Sequence, residues 1–339
     1  MQNKKFQKKK SKTSSPEELI EGILKGDKIA LSKAITLCES SRNQDRAQAN
    51  QILKACLPHS GKAIRIGISG VPGVGKSTFI ESFGRYLIDK QQKKVAVLAV
   101  DPSSEKSKGS ILGDKTRMEQ LSRAEKAYIR PTATGGALGG VAHSSRESII
   151  LCEAAGFDVI LIETVGVGQS ETEVRQMCDF FLLLMLAGAG DELQGIKRGI
   201  MEMADGLVIN KADGDNVDAA KRAKRSYQNA LHLFPPNANQ WSPQVESCSA
   251  LEHKNMDGIW TMISDHQKLL EENGYWQEQR KDQDRKWFAR SLRSLIEMRL
   301  FADKSNEKLY KEMEAEVVSG KLAAFEAAEK LLPSLLKSL

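Results

Sequence analysis

Gly70-Val71-Pro72-Gly73-Val74-Gly75-Lys76-Ser77-Thr78 constrains this chain more than any other stretch, because few folds can accommodate it. The alternating apolar positions Ile64, Ile66 and Ile68 before it read as a strand, and Ser77 to Ile88 after it reads as a helix. A glycine-rich turn between strand and helix lets the main chain wrap closely round an anion, with several N–H groups pointing inward at the head of the helix. The spacing G-x-x-x-x-G-K-[ST] adds two side chains to that cradle. Lys76 supplies a point charge at the β/γ-phosphates, and the Ser77 hydroxyl is placed to ligate Mg²⁺. The ligand this implies is a nucleoside triphosphate.

The base is addressed about 135 residues further on. Leu207-Val208-Ile209 is a short apolar strand that ends in Asn210-Lys211-Ala212-Asp213. An N-K-x-D at a strand end suits guanine: the Asp213 carboxylate accepts two N–H donors from the base edge, and the Lys211 stem lies across the ring. Adenine offers no matching donor pair, and a site built on hydrogen bonds rejects analogues that leave its polar groups unpaired. The bland alternative is a helix cap, since Asp213 is also a good N-cap. A third element, Ser247-Cys248-Ser249-Ala250-Leu251, follows another short apolar stretch. Ser249, Ala250 and Leu251 form the right kind of loop to back the guanine with a main-chain N–H. The nucleotide pair expected is GTP/GDP.

Metal and hydrolysis machinery is expected between these two motifs. Val95–Val100 is a continuous apolar strand ending in Asp101-Pro102-Ser103-Ser104, and Asp158–Ile162 is another, ending in Glu163-Thr164-Val165-Gly166. Acids at the carboxyl ends of parallel strands face the phosphate crevice, where Mg²⁺ needs oxygen ligands. Asp114, in Gly113-Asp114-Lys115-Thr116, is a further candidate on a loop that could close over the γ-phosphate; its alternative is a solvated turn. The metal candidates are thus Ser77, Asp101, Asp114 and Glu163, and the catalytic ones Lys76, Asp114 and Glu163. Many GTPases place a glutamine directly after the glycine of the equivalent loop to orient the attacking water. Here that position is Val167, and Gln169 comes two residues later. The inference is slow intrinsic hydrolysis that a partner accelerates, which describes a switch.

The breaks in the chain set its organisation. Residues 1–14 read as a disordered basic arm: the first twelve residues carry six lysines and no acid. Without them 44 basic residues face 44 acidic ones, so no overall field argues for nucleic acid. A mitochondrial transit peptide is discounted, because the arm lacks arginine and an apolar stripe. Residues 15–61 read as helices, with Ser15-Pro16-Glu17-Glu18 as a capping box and Gly26-Asp27 as a stop and restart. From 62 to 265 strands and helices alternate, which predicts an α/β domain with a mostly parallel sheet and helices on both faces. From 266 to 339 only charged amphipathic helices remain, with Trp287, Leu292, Leu295, Ile296 and Leu300 along one stripe. Self-association is preferred there over packing back on the sheet. The longest apolar run, Phe180–Ala187, suits a buried strand and is too short to span a bilayer. Five scattered cysteines without a C-x-x-C imply neither zinc nor a disulfide framework and fit a reducing cytoplasm.

Two further strings are more specific than the nucleotide motifs. They are Ser110-Ile111-Leu112-Gly113-Asp114-Lys115-Thr116-Arg117-Met118 and the run from Gly190 through Asp191-Glu192-Leu193-Gln194-Gly195-Ile196-Lys197-Arg198-Gly199 to Ile200. With Gly70–Thr78, Asp101–Ser104, Glu163–Ser170 and Asn210–Asp213, the chain resembles the GTPase chaperones of adenosylcobalamin-dependent methylmalonyl-CoA mutase. Some members of that family carry the older label of arginine/ornithine transport ATPase or kinase. The resemblance covers nearly the whole chain after the first dozen residues. It implies a P-loop GTPase fold flanked by helical extensions, in a homodimer that binds the mutase, gates cobalamin delivery and helps remove inactivated cofactor. It also implies that Asp101, Asp114 and Glu163 serve Mg²⁺ and the switch loops, and that Asp191, Gln194 and Lys197 form an additional switch read by the mutase. Methylmalonyl-CoA mutase and a related acyl-CoA mutase are both compatible clients. The stretch Thr134–Gly140 departs from the serine-richer pattern of the family and reads as a mobile loop or a plain turn. Read from the residues alone, Ile196, Ile200 and Met203 lie on one face of a core-facing helix over Gln194–Ala204.

Rival classes are a metallochaperone GTPase for another metal or cobalamin centre, and a true kinase or transport ATPase. The first should carry a histidine-rich tract or a Cys/His pair near the nucleotide, and neither occurs. The guanine motif speaks against the second. The expected partners are the mutase and a second copy, with neither nucleic acid nor membrane, in the cytoplasm.

Overall fold

The computed structural model describes residues 14–40, 42–100, 118–131, 140–164, 170–188, 198–234, 237–302 and 304–336. Local chemistry sets the start of the chain. Ser15 opens helix α1 (Pro16–Leu24): Glu18 N–H donates to Ser15 Oγ at 3.2 Å, and Ser15 N–H to Glu18 Oε2 at 3.1 Å. Such reciprocal capping satisfies two N–H groups that the helix itself leaves orphaned. Asp27 opens α2 (Lys28–Cys38) by accepting the Ile29 N–H at 2.7 Å. Helix α3 (Asn43–Cys56) and a 3₁₀ turn (Leu57–His59) lead into the sheet.

Strands and helices then alternate: β1 (Ile64–Gly70), α4 (Lys76–Asp89), β2 (Val95–Val100), α5 (Glu119–Arg123), β3 (Ala127–Arg130), α6 (Gly140–Ala154), β4 (Val159–Thr164), α7 (Ser170–Arg175), β5 (Phe180–Leu186), α8 (Arg198–Met203), β6 (Gly206–Asn210), α9 (Val217–Leu231), β7 (Gln244–Ser247) and α10 (Met256–Glu272). Among the described residues they form a 7-stranded sheet in the order β3-β2-β4-β1-β5-β6-β7, and every neighbouring pair is parallel. β1 is central: Ile66 lies opposite Leu161 of β4 and Phe180 of β5. β3, which the motif reading did not single out, adds the edge beside β2 with Val95 opposite Ala127.

Alternation along each strand splits the core into two layers. Ile64, Ile66, Ile68, Val97, Leu161, Phe180, Leu182 and Val208 belong to the layer under α4 and α10. Leu98, Ile160, Ile162, Phe181, Leu183 and Ile209 belong to the layer shared with α1–α3 and α6. The sheet is therefore covered on both faces, as parallel sheets require. For β1 this goes beyond what its sequence shows, because the intervening Arg65, Gly67 and Ser69 are not wetted. Arg65 is buried in a bidentate ion pair with Glu153 of α6 (Nε–Oε1 2.9 Å, Nη2–Oε2 3.1 Å). Gly67 makes room for α7: a Cβ there would stand 2.7 Å from Val174 Cγ1.

The described residues up to Glu278 form one compact unit, and those from Gln279 onward form a second. The latter contains the rest of α11 (Tyr275–Ala302), with α12 (Lys304–Val318) and α13 (Ala324–Leu336) packed on each other. Phe301 and Tyr310 meet edge to face at 5.3 Å, and Asn306 Nδ2 donates to the Leu300 carbonyl at 2.7 Å. Of the apolar stripe on α11, Leu300 is buried while Leu292, Leu295 and Ile296 are exposed. Among the described residues no helix is long and apolar enough to cross a membrane.

Candidate nucleotide site

The carboxyl ends of β1, β4 and β6 face the same crevice, and each delivers part of one sequence motif. After β1 the chain turns tightly, with Val74 N–H donating to the Val71 carbonyl at 3.2 Å. Gly75 precedes α4 with φ 91°, a left-handed conformation that glycine adopts at low cost, and a Cβ there would lie 3.0 Å from Asn210 Nδ2. The N-cap Gly75 has no side chain to cap α4, so the head of this 14-residue helix is suited to an anion. Lys76 Nζ donates to the Gly70 carbonyl at 2.8 Å, which holds the ammonium across the mouth of the loop. Burial lowers the tendency of Lys76 to stay protonated, and the carboxylates of Glu163 and Glu171 oppose that effect. Ser77 Oγ donates to Glu163 Oε1 at 3.4 Å, and Glu163 is 5% exposed at the end of β4. Beneath them Thr164 Oγ1 and Ser69 Oγ bond at 3.0 Å and tie the ends of β4 and β1 together.

Asn210, Lys211 and Asp213 follow β6 beside this loop. Asn210 is 1% exposed and its amide is spent within the protein. Nδ2 donates to the Val74 carbonyl at 2.8 Å, and Oδ1 accepts the Ala250 N–H at 3.2 Å. One side chain therefore clasps the phosphate loop to the segment after β7. Lys211 takes a left-handed backbone (φ 59°). Asp213 does not cap a helix through its side chain; its carboxylate accepts the Ser249 hydroxyl, and Ser249 Oγ in turn accepts the Glu252 N–H at 3.0 Å. The Asp213 carboxylate is thereby oriented in advance, while Leu251 is exposed at the rim. Cys248, behind Asn210, is an inert thiol: burial first, then the Asp213 charge, pushes it up to about 12.

The expected residues Gly70–Thr78, Glu163, Asn210, Lys211, Asp213, Ser249, Ala250 and Leu251 are thus gathered around one crevice. Asp101, Asp114, Asp191, Gln194 and Lys197 lie outside the described residues, as do Val167, Gln169, Thr134–Gly139 and the first thirteen residues. Of the helix expected over Gln194–Ala204, the described part is α8, with Ile200 and Met203 packed against the core. Two residues escaped the motif reading. Thr164 sits inside the Glu163-Thr164-Val165-Gly166 string, where only its strand-end position hinted at a role. Glu171, in the first turn of α7, is 5% exposed, its charge is a minor influence favouring the Lys76 ammonium, and no spacing rule points to it.

Comparison with known proteins agrees with this geometry. The family described as "Methylmalonyl Co-A mutase-associated GTPase MeaB" matches residues 31–305. The GTPase ArgK of Escherichia coli is 47% identical over 295 residues, 87% of this chain and 89% of that protein. The methylmalonic aciduria type A homolog, mitochondrial, of Caenorhabditis elegans is 42% identical over 326 residues, 93% of this chain and 82% of its own length. Among solved structures, the LAO/AO transport system kinase superposes with a TM-score of 0.75 at 38% identity, covering 97% of this chain and all of the other. With a phosphate loop, a guanine motif and a parallel sheet in the expected places, the chain belongs to the methylmalonyl-CoA mutase-associated GTPase MeaB family.

Proposed function

We propose that this protein is a GTP-hydrolysing chaperone of an adenosylcobalamin-dependent acyl-CoA mutase, with methylmalonyl-CoA mutase as the first candidate. In this reading it gates cofactor loading and protects or reactivates its client. The observation that carries the proposal is the clasp of Asn210 between the phosphate loop and the Ala250 segment, in a chain whose family is mutase-associated. Guanine recognition and phosphate binding are thereby one mechanical unit.

In this reading the first-turn N–H groups of α4 and Lys76 bind the phosphates, and Asp213 and Lys211 hold the guanine. Ser77 Oγ and Glu163 Oε1, 3.4 Å apart, are hard oxygen donors that converge beside Lys76, and they fit Mg²⁺. Asp101 and Asp114 would complete its environment. When bound, Mg²⁺ supplies charge neutralisation between the phosphate oxygens. No glutamine directly follows Gly166, so intrinsic turnover is slow and the client supplies the acceleration. Asp191, Gln194 and Lys197 would report nucleotide state to the client, and the client must in turn alter GTP affinity or turnover, because coupling is reciprocal. The working form would be a cytoplasmic homodimer joined through the helices after residue 266.

The test is GTP turnover by the purified protein with and without the methylmalonyl-CoA mutase of the same organism. A marked stimulation supports the proposal. Tight GTP binding with unchanged turnover rejects that mutase as client and leaves the nucleotide site intact. Lys76→Ala should abolish both binding and response.

A further inference from the structure

The loop after β7 carries the main-chain groups expected to face the guanine, and it is closed on itself: Lys254 N–H donates to the Ser249 carbonyl at 3.0 Å. Between those residues Leu251 is 74% exposed, and Glu252 and His253 are exposed as well. Two of its non-glycine residues lie in the left-handed region, His253 at φ 55° and Asn255 at φ 61°. Histidine and asparagine enter that region more readily than most residues, but it is a minor conformation of a free chain. Such a loop keeps its shape only where its surroundings fix it. Ser249 is fixed on the Asp213 carboxylate. Asn255 Nδ2 donates to the Ser247 carbonyl at 2.8 Å and to Glu246 Oε2 at 3.0 Å. His253 reaches further. Its Nδ1 lies 2.7 Å from Ser82 Oγ, a hydrogen bond across 171 positions to the middle of α4. Ser82 is 2% exposed, on the side of α4 that buries Phe79 and Phe83. A buried hydroxyl is costly unless it is hydrogen-bonded, and His253 meets it at the edge of the core.

Neither Ser82 nor His253 belongs to a nucleotide motif, and together they join the two halves of the site. We propose that His253 is a positioning residue: through Ser82 it ties the guanine-facing loop to α4, the helix whose head receives the phosphates. Asn210 already holds this loop at Ala250, on its β7 side. His253 holds the opposite side, so the main chain at Ala250 and Leu251 stands in place before a base arrives. Without the second tie the loop spends part of its time in other conformations, and apparent affinity falls in proportion to the competent fraction. The inference rests on the reading of Asn210–Asp213 and Ser249–Leu251 as guanine contacts. It adds a residue that acts on the base through α4 rather than by touching it.

The experiment is the GDP dissociation constant of the full-length protein by calorimetry, with kcat and KM for GTP. Wild type, Ser82→Ala, His253→Ala, His253→Asn and the double alanine variant are compared. Loss of one neutral hydrogen bond should weaken GDP binding by about fivefold in each single alanine variant. KM for GTP should rise alike while kcat stays unchanged, because neither residue lies in the phosphate loop. The double variant should bind no more weakly than His253→Ala alone, since both changes remove the same bond. His253→Asn offers a polar atom in the place of Nδ1 and accepts a left-handed backbone, so it should stay within about twofold of wild type. His253 is exposed, and its variants keep the test open should Ser82→Ala not fold. The inference is overturned by GDP affinity within about twofold of wild type in His253→Ala. It is overturned equally by losses that add in the double variant, by an asparagine variant as weak as the alanine one, or by a fall in kcat as large as the rise in KM. A wild type that binds ADP as tightly as GDP would overturn the guanine reading itself.

Discussion

Replacing Asn210 tests whether the two halves of the nucleotide site are held together before any nucleotide binds. Its amide donates to the Val74 carbonyl at 2.8 Å and accepts the Ala250 N–H at 3.2 Å, and all three residues are buried. Asn210→Ala leaves one buried carbonyl and one buried N–H without their partner. At about 1–3 kcal/mol for each orphaned group, the loss is about 2–5 kcal/mol, tempered where water enters the space left behind. Asn210→Asp is the sharper probe. It is nearly isosteric and keeps an acceptor for Ala250, but it sets a carboxylate oxygen against the Val74 carbonyl where a donor stood. It should therefore cost at least as much as alanine, although it preserves the shape. The assay is urea unfolding of the nucleotide-free, full-length protein, followed by tryptophan emission, with Trp241 as a buried reporter in the same unit. If Asn210→Ala lies within about 0.5 kcal/mol of wild type, the range of an ordinary surface change, the clasp contributes nothing and the argument fails. It fails equally if the aspartate variant is clearly more stable than the alanine one.

Other perturbations follow from the same contacts. His266 is buried edge-on to Phe180 and Trp241, with no hydrogen-bond partner for Nδ1 among the described residues and Nε2 3.9 Å from Asp205 Oδ1. Burial outweighs the attraction of Asp205 and holds the imidazole below its ordinary range. The unfolded chain then binds a proton that the folded one lacks, so this contribution is fully present above the unfolded value of about 6.5 and is lost as the pH falls below it. Thermal unfolding across that window should show the slope, and His266→Phe should flatten it. The buried Arg65–Glu153 pair is a second case: Glu153→Gln should cost about 3–5 kcal/mol, because it removes the charge that a buried guanidinium bonds at two points. A urea midpoint equal to wild type would refute that. Leu295 on α11 is 50% exposed; if the proposed dimer forms through this helix, Leu295→Glu should give a monomer in sedimentation equilibrium while leaving GDP affinity unchanged, and a wild type that is itself monomeric would refute the dimer. Lys197→Ala should bind nucleotide normally and lose the response to the mutase, and normal coupling in that variant would remove Lys197 from the proposed switch.

Much of this site could be read from the chain because its demands are local. A strand that runs into G-x-x-x-x-G-K-S and then a helix is written in glycine positions and apolar spacing within about 25 residues, and backbone sterics leave it little freedom. The N-K-x-D string at the end of β6 and the capping box at Ser15 are legible for the same reason. The specific strings around Asp114 and Gln194 carried the family, although those residues lie outside the described part of the structure.

Tertiary structure decided how the polar groups are spent. Asn210 looks like a base-reading residue, yet its amide is committed to Val74, 136 positions away. Asp213 could equally have been a helix cap, until Ser249 was brought to it across 36 positions. Arg65 alternates with isoleucines as a solvent-facing residue would, and burial under α6 turns it into half of an ion pair. Glu171 has no motif at all and is buried only because α7 packs against β1, β4 and β5. Each of these outcomes depends on the strand order, which sets residues far apart in sequence within hydrogen-bond distance and excludes the water that would otherwise satisfy them. Periodicity and spacing report which residues need burial or a partner; only the assembled sheet determines which partner they receive.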